Sequence, residues 1–200
     1  MIESSSFTPV TFGPLTLRNR TIRSAAFESM CPGNAPSDML LDYHRSVAAG
    51  GIGMTTVAYA AVTQSGLSFD RQLWMRPEII PGLRRLTDAI HAEGAAAGIQ
   101  LGHCGNMSHK SICGCMPVGA SSGFNLYSPT FVRGLRADEL PEMARAYGRS
   151  VNLAREAGFD SVEIHAGHGY LISQFLSPST NHRKDEFGGS LQNRMRLWIW

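Results

Sequence analysis

The chain has 200 residues, 43% of them hydrophobic and 17% charged, with a formal net charge of +2. That balance suits a globular protein of about one domain, and its weak positive charge points to neither nucleic acid nor an anionic membrane surface. No apolar run approaches the roughly 20 residues of a membrane span, and MIESSSFTPV lacks the regions of a secretion signal. The cytoplasm is therefore the expected compartment.

In chain order, VTF and LTL flank Gly13-Pro14, a turn signal that predicts a small hairpin. Thr21 to Phe27 reads as a strand. Asp38 to Ala49 places Met39, Leu40, Tyr43 and Val47 at helical spacing, and Gly50-Gly51 stops the pattern. Gly53 to Ala58 reads as a buried strand, Ile80 to Glu93 as a helix ended by Gly94, and Ala96 to Leu101 as a third strand. Asp138 is the expected cap of a helix that runs to Ala157. Ser161 to His165 is the fourth strand, and Ser190 caps a further helix.

Strands alternating with helices imply parallel βαβ units. No G-x-G-x-x-G follows the first strand, which weakens a dinucleotide-binding open sheet against a (β/α)8 TIM barrel. The barrel needs about 250 residues, so only about the first four βα units are present. Half a barrel leaves sheet edges and an apolar face uncovered. The expectation is either the front part of a longer protein or a half-barrel completed by something else.

The cysteines are Cys31, Cys104, Cys113 and Cys115. Their spacing gives no disulfide framework, and without a signal peptide free thiols are the default. Three of them, with His103 and His109, place soft ligands in one loop. A C-x-C without paired knuckles is not a zinc motif, and no metal is expected.

In a (β/α)8 barrel the active site lies at the C-terminal ends of the strands. That rule selects Ser24, Ala25, Ala26, Phe27, Tyr59, Gln100, His103, His165, His168 and Tyr170. Imidazoles can donate hydrogen bonds to an oxygen that gains negative charge, and a phenol can deliver a proton. Equally, the two histidines can be structural or form a His-x-x-His metal pair, the weakest alternative with no third histidine adjacent. Gln100 can read the edge of a planar heterocycle such as a flavin or pterin, or simply pair with a neighbouring strand. Ser24, Ala25 and Ala26 are small enough to let a flat ring approach, or to fit a tapered barrel end. In SPSTNHRKDEFGGSLQNRMR, Arg–carboxylate pairs can brace one another; the alternative is a solvated loop. Spacing alone leaves these open.

EIHAGHGYLISQFLSPSTNHRKDEFGGSLQNRMR closely resembles the signature of the old yellow enzyme family of FMN-dependent NAD(P)H:flavin oxidoreductases and ene-reductases. PLTLRNRTIRSAAFESM, PGLRRLTDAIHAEGAAAGIQLGH and REAGFD extend the resemblance over nearly the whole chain. It implies a (β/α)8 barrel holding FMN, of which residues 1–200 are the N-terminal part of a single FMN-binding domain, with a hairpin at about 8–19. It further implies cofactor contacts from Ser24, Ala25, Ala26, Gln100 and Tyr59, the last at a position where the side chain varies. His165 and His168 would grip the substrate's electron-withdrawing oxygen, and Tyr170 would donate a proton. NADH or NADPH would reduce FMN, and hydride would pass to an activated C=C bond, as in an enone. The implied partner is a small molecule, with neither nucleic acid nor membrane; a homo-oligomer is an open alternative.

The chain departs from the family at Phe27, where many members have Cys or Thr, and at Asn106, where arginine is usual. The family's phosphate-binding loops after strands seven and eight, and its basic residue on strand five, fall outside these residues. Two alternatives follow. One is a non-catalytic half-barrel that needs a partner chain. The other is the flavin barrel of a larger iron–sulfur flavoprotein, similar to dienoyl-CoA reductase relatives.

Overall fold

A computed structural model describes residues 5–199. The chain opens with strands β1 (Val10–Phe12) and β2 (Leu15–Leu17), an antiparallel hairpin pairing Val10 with Leu17 and Phe12 with Leu15. There follow β3 (Ile22–Arg23), α1 (Asp38–Ala49), β4 (Met54–Ala61), α2 (Ile80–Ala92) and β5 (Ala96–Gly102). Next come a short helix α3 (Lys110–Cys113) and the strands β6 (Val118–Gly119), β7 (Gly123–Asn125) and β8 (Thr130–Gly134). The chain continues with α4 (Leu140–Glu156), β9 (Ser161–Ile164), α5 (Leu171–Leu176) and α6 (Leu191–Ile199).

The main sheet has the order β3-β4-β5-β9, with β3 and β4 parallel and Ile22 opposite Met54. Neighbours in the sheet are successive βα units in the chain, which is the front part of a (β/α)8 barrel. Between β5 and α4 the chain inserts a three-stranded sheet, β6-β8-β7, in which β6 runs parallel and β7 antiparallel to β8. This Gly- and Ser-rich insertion carries no alternating apolar pattern that would mark its strands in the sequence.

The residues gather into two compact units, one comprising those up to Ala60 with Arg71–Gln100 and Val151–Glu163, the other Ala61–Asp70, Leu101–Ser150 and the residues from Ile164 onward. In the first, Leu40 and Ala48 of α1, Leu83, Leu86 and Ile90 of α2, and Val57 and Ile99 of the strands form the apolar core. The inner face of α1 is Leu40, His44 and Ala48, whereas Met39, expected on that face, is exposed. In the second unit, Arg183 holds Asp185 through two parallel hydrogen bonds, Nε at 3.0 Å and Nη2 at 2.5 Å. Arg183 also donates to the Ala120 and Leu135 carbonyls and lies over the Phe175 and Phe187 rings. The charged stretch after α5 is thus a braced turn.

β4 runs three residues past its expected end at Ala58, and the strand after Thr21 and the start of α4 also depart from expectation. The predicted strand from Thr21 to Phe27 is reduced to Ile22–Arg23, because Arg23 turns inward to bind the Thr56 carbonyl at 2.7 Å and the Ala26 carbonyl at 3.2 Å. Asp138 does not cap α4. It sits in a 3-10 turn, Ala137–Glu139, and pairs with Arg136 at 3.1 Å, while Glu139 accepts the Arg136 N–H. Ser190 does cap α6, accepting the Asn193 N–H at 3.2 Å.

Arg18 carries more of the first unit than its place in a loop suggests. Nη2 binds the Ala48 carbonyl at the end of α1, Nη1 the Glu93 carbonyl just past α2, and Nε the Ile52 carbonyl, at 2.5, 2.7 and 3.0 Å. A cation there satisfies orphan carbonyls and meets the negative ends of two helix dipoles. Lysine cannot reproduce the fork. Arg18→Lys is expected to lower stability by about 2 kcal/mol, read as a shifted urea midpoint at unchanged slope; an unmoved midpoint would contradict this role.

Candidate functional site

In the first unit, the residues after β3 are held by a buried ionic cluster. Glu28 lies 3.1 Å from Arg23 and 3.3 Å from His44 Nε2, and accepts the Ala58 N–H at 3.2 Å. His44 Nδ1 meets the Thr55 hydroxyl at 2.8 Å, and Arg23 lies over the Tyr43 ring. Removing one partner would leave an uncompensated buried charge, so the cluster pins the backbone that carries Ser24, Ala25 and Ala26. Ser24, Ala26 and Phe27 are exposed. Tyr59 is buried on β4, and its carbonyl accepts Gln72 Nε2 at 3.0 Å.

Gln100 donates Nε2 to Glu163 Oε1 at 2.5 Å, which is the neighbouring-strand pairing that the sequence left open. A carboxylate can only accept, so this contact fixes the amide with nitrogen toward β9 and leaves Oε1 as an acceptor. Glu163 has no role in the sequence reading. Its signal is an acid on the strand next to a glutamine, visible only once β5 and β9 are known to be neighbours.

In the second unit, the turn that follows Ile164 brings His165, His168 and Tyr170 together. The ring centroids are 4.8 Å apart for the histidines and 4.9 Å for His165 and Tyr170, both edge-to-face. His165 is buried, while His168 is exposed and holds a left-handed backbone, φ 57°. Such a conformation costs a non-glycine residue of order 1 kcal/mol and persists only where surroundings enforce it. The Tyr170 hydroxyl bonds Ser68; burial raises its pKa, and the Ser68 bond partly offsets the rise.

Gln174 on α5 enforces that turn. Buried in the same unit, its Nε2 donates to the carbonyls of Gly169 (2.6 Å) and Cys104 (3.1 Å) and to Asn106 Oδ1 (2.9 Å), and its Oε1 accepts the Asn106 N–H (3.1 Å). Gly105, at φ 62°, lies so close that a Cβ there would collide with the carboxamide. Tyr170 forms one wall of a cavity of about 390 Å³, together with Phe69, Met107, His109, Ile112 and Tyr127.

The imidazoles of the cysteine-bearing loop are bound to hydroxyls. His109 Nε2 meets Ser128 Oγ at 2.6 Å and His103 Nε2 meets Ser65 Oγ at 3.1 Å. Among the described residues no group of three or more His, Cys, Asp or Glu could hold a metal ion. His103 is fully buried, and its Nδ1 accepts the Gly105 N–H at 3.0 Å, so the neutral ring carries its proton on Nε2.

Burial pushes the His103 pKa from 6.5 down to about 4. A lowered folded pKa means that the unfolded chain takes up the proton first as pH falls. The stabilisation is complete above pH 6.5 and is lost as pH drops toward 4. Native stability is therefore expected to fall by of order 2–3 kcal/mol across that window. His103→Gln, which cannot charge, should show a shallower slope in denaturation series at several pH values. An identical slope would assign the loss to other groups.

Residues 5–199 match the model of the NADH:flavin oxidoreductase / NADH oxidase family. A 4,4'-dithiodibutanoate disulfide reductase of Rhodococcus erythropolis is 43% identical over 95% of this chain and 47% of its own length. An NADPH dehydrogenase of Bacillus subtilis is 36% identical over 96% of this chain and 56% of its own. The structure of an old yellow enzyme homologue from Zymomonas mobilis superposes with a TM-score of 0.90 at 30% identity, covering 98% of this chain and 57% of that one. The chain spans about half the length of the relatives it matches. With the front strands of the barrel in order and the family pattern matched over residues 5–199, the chain belongs to the NADH:flavin oxidoreductase / NADH oxidase family, the old yellow enzyme group.

Proposed function

We propose that this chain supplies the front part of a flavin site that takes electrons from NADH or NADPH and reduces an activated C=C bond, such as that of an enone. The observation that carries the reading is the packing of His165, His168 and Tyr170 on one turn, with centroids 4.8 to 6.2 Å apart. Two hydrogen-bond donors and one phenol so placed suit an acceptor whose oxygen gains charge while its carbon gains a proton. Residues 1–200 are taken as part of a single flavin-binding barrel domain working on small molecules. The four free thiols favour the cytoplasm, and no helix among the described residues is long and apolar enough to cross a membrane.

The first unit suits a flat heterocycle on chemical grounds. Ser24, Ala25 and Ala26 offer backbone and small side chains at an exposed strand end, and with its nitrogen given to Glu163, Gln100 keeps Oε1 as an acceptor. Tyr59 is assigned a supporting contact. When bound, FMN supplies the redox step, storing two electrons from NAD(P)H and releasing them as hydride.

The remaining work falls to the protein. His165 and His168 donate hydrogen bonds to the substrate oxygen, and each donor is worth a few kcal/mol where negative charge develops. Tyr170 places its proton on the carbon next to the activating group. Burial raises the pKa of that phenol further above neutrality, so it meets the substrate as the protonated form an acid needs. The cavity of about 390 Å³ beside Tyr170 is the assigned seat of the substrate.

Titrations of FMN, and of a phenol as a mimic of an enolate oxygen, test the division of labour. His165→Ala should weaken the phenol about tenfold, the loss of one good hydrogen bond, and leave FMN affinity within about twofold. Gln100→Ala should do the reverse. If both variants lost both ligands in equal measure, the two assignments would collapse into one structural effect.

A further inference from the structure

We propose that Cys113 and Cys115 form a dithiol–disulfide couple that exchanges with small, uncharged organic disulfides, a reaction separate from the flavin site. The two sulfurs lie 3.8 Å apart, and the Cys113 thiol donates to the Cys115 carbonyl at 3.2 Å, so both side chains turn to the same side of a tight bend. The bend needs Gly114, which ends α3 in the left-handed region at φ 74°. Cys115 is exposed and Cys113 buried beneath it. One thiol is thus open to an incoming reagent and the other is shielded until the first has reacted, the division between attacking and resolving sulfurs.

Cys115 opens on a cavity of about 570 Å³ within the second unit. Its charged walls cancel in pairs: Arg133 with Glu139 at 2.7 Å, Arg136 with Asp138 at 3.1 Å, and Arg149 with Glu142 at 2.7 Å. Met116, Val118 and Leu135 supply apolar surface beside the sulfur. A wall with no unpaired charge selects neither a carboxylate nor an ammonium, hence the uncharged disulfide.

The exchange balances without another reagent. Cys115, as thiolate, attacks one sulfur of the disulfide; that S–S bond breaks, a mixed disulfide forms, and the first thiol leaves with the proton Cys115 gave up. Cys113, losing its own proton, attacks Cys115 Sγ and releases the second thiol. Two protein thiols are oxidised to one disulfide while one organic disulfide is reduced to two thiols. Burial and the Cys113 thiol raise the Cys115 pKa, and Arg133 offsets part of the rise.

The intact protein, reduced and then exposed to hydroxyethyl disulfide, is quenched in acid and mapped by mass spectrometry, with released mercaptoethanol counted. The expected product is a Cys113–Cys115 disulfide with two thiols released per chain. Cys113→Ser should stop at a mixed disulfide on Cys115 with one thiol released, and Cys115→Ser should release none. NAD(P)H oxidation, read in parallel, should be unchanged in Cys115→Ser, so a failed flavin site and a failed thiol pair are told apart. A wild-type protein that ends as the Cys115 adduct, or that reacts at Cys31 or Cys104 instead, overturns the proposal. So does one that releases no thiol.

Discussion

The turn that carries the titratable residues depends on one buried carboxamide. Gln174 meets three backbone or side-chain oxygens and one N–H, and each unmet polar group at such depth would cost about 1–3 kcal/mol. Loops that follow barrel strands have no ladder of their own, so their backbone groups must find partners individually. By satisfying Gly169, Cys104 and Asn106 at once, Gln174 ties the loop after β5 to the turn after β9. His168 can then hold a left-handed backbone that an unsupported loop would relax.

The first unit solves a similar problem with charge. Its irregular stretch, Ser24 to Ala26, contributes small side chains and little apolar area of its own. The Glu28 carboxylate, flanked by Arg23 and His44 and bonded to Ala58 N–H, supplies the rigidity that packing does not. Burying such a group is costly unless every partner is present, so the segment has few alternative arrangements. Small side chains and a fixed backbone are thereby compatible.

Much of the fold was legible because burial leaves a periodic trace. α1 spans Asp38–Ala49 as the apolar spacing predicts, and β5 ends one residue from its predicted limit. The trace misleads where a polar group is buried: His44, not Met39, faces inward, with its Nδ1 meeting the Thr55 hydroxyl. It also fails where pairing is carried by backbone alone, as in β6 to β8, or where a side chain interrupts a strand, as Arg23 does. Of the site, the candidates were visible and their supports were not. Arg18, Glu163 and Gln174 act on groups far away in sequence, and no local pattern encodes such partners.

Gln100 shows why two readings of one residue need not compete. Pairing with Glu163 is the structural alternative, and reading a heterocycle edge is the functional one. A carboxamide has a donor end and an acceptor end, and committing the nitrogen to a carboxylate orients the oxygen. On the proposed reading, the structural contact would prepare the functional one by removing the flipped rotamer in which nitrogen and oxygen exchange places. Glu163 would then select for a ligand edge that donates, and replacing it with a neutral residue would free the amide to present either end. On that reading, specificity would be set one strand away from the residue that expresses it.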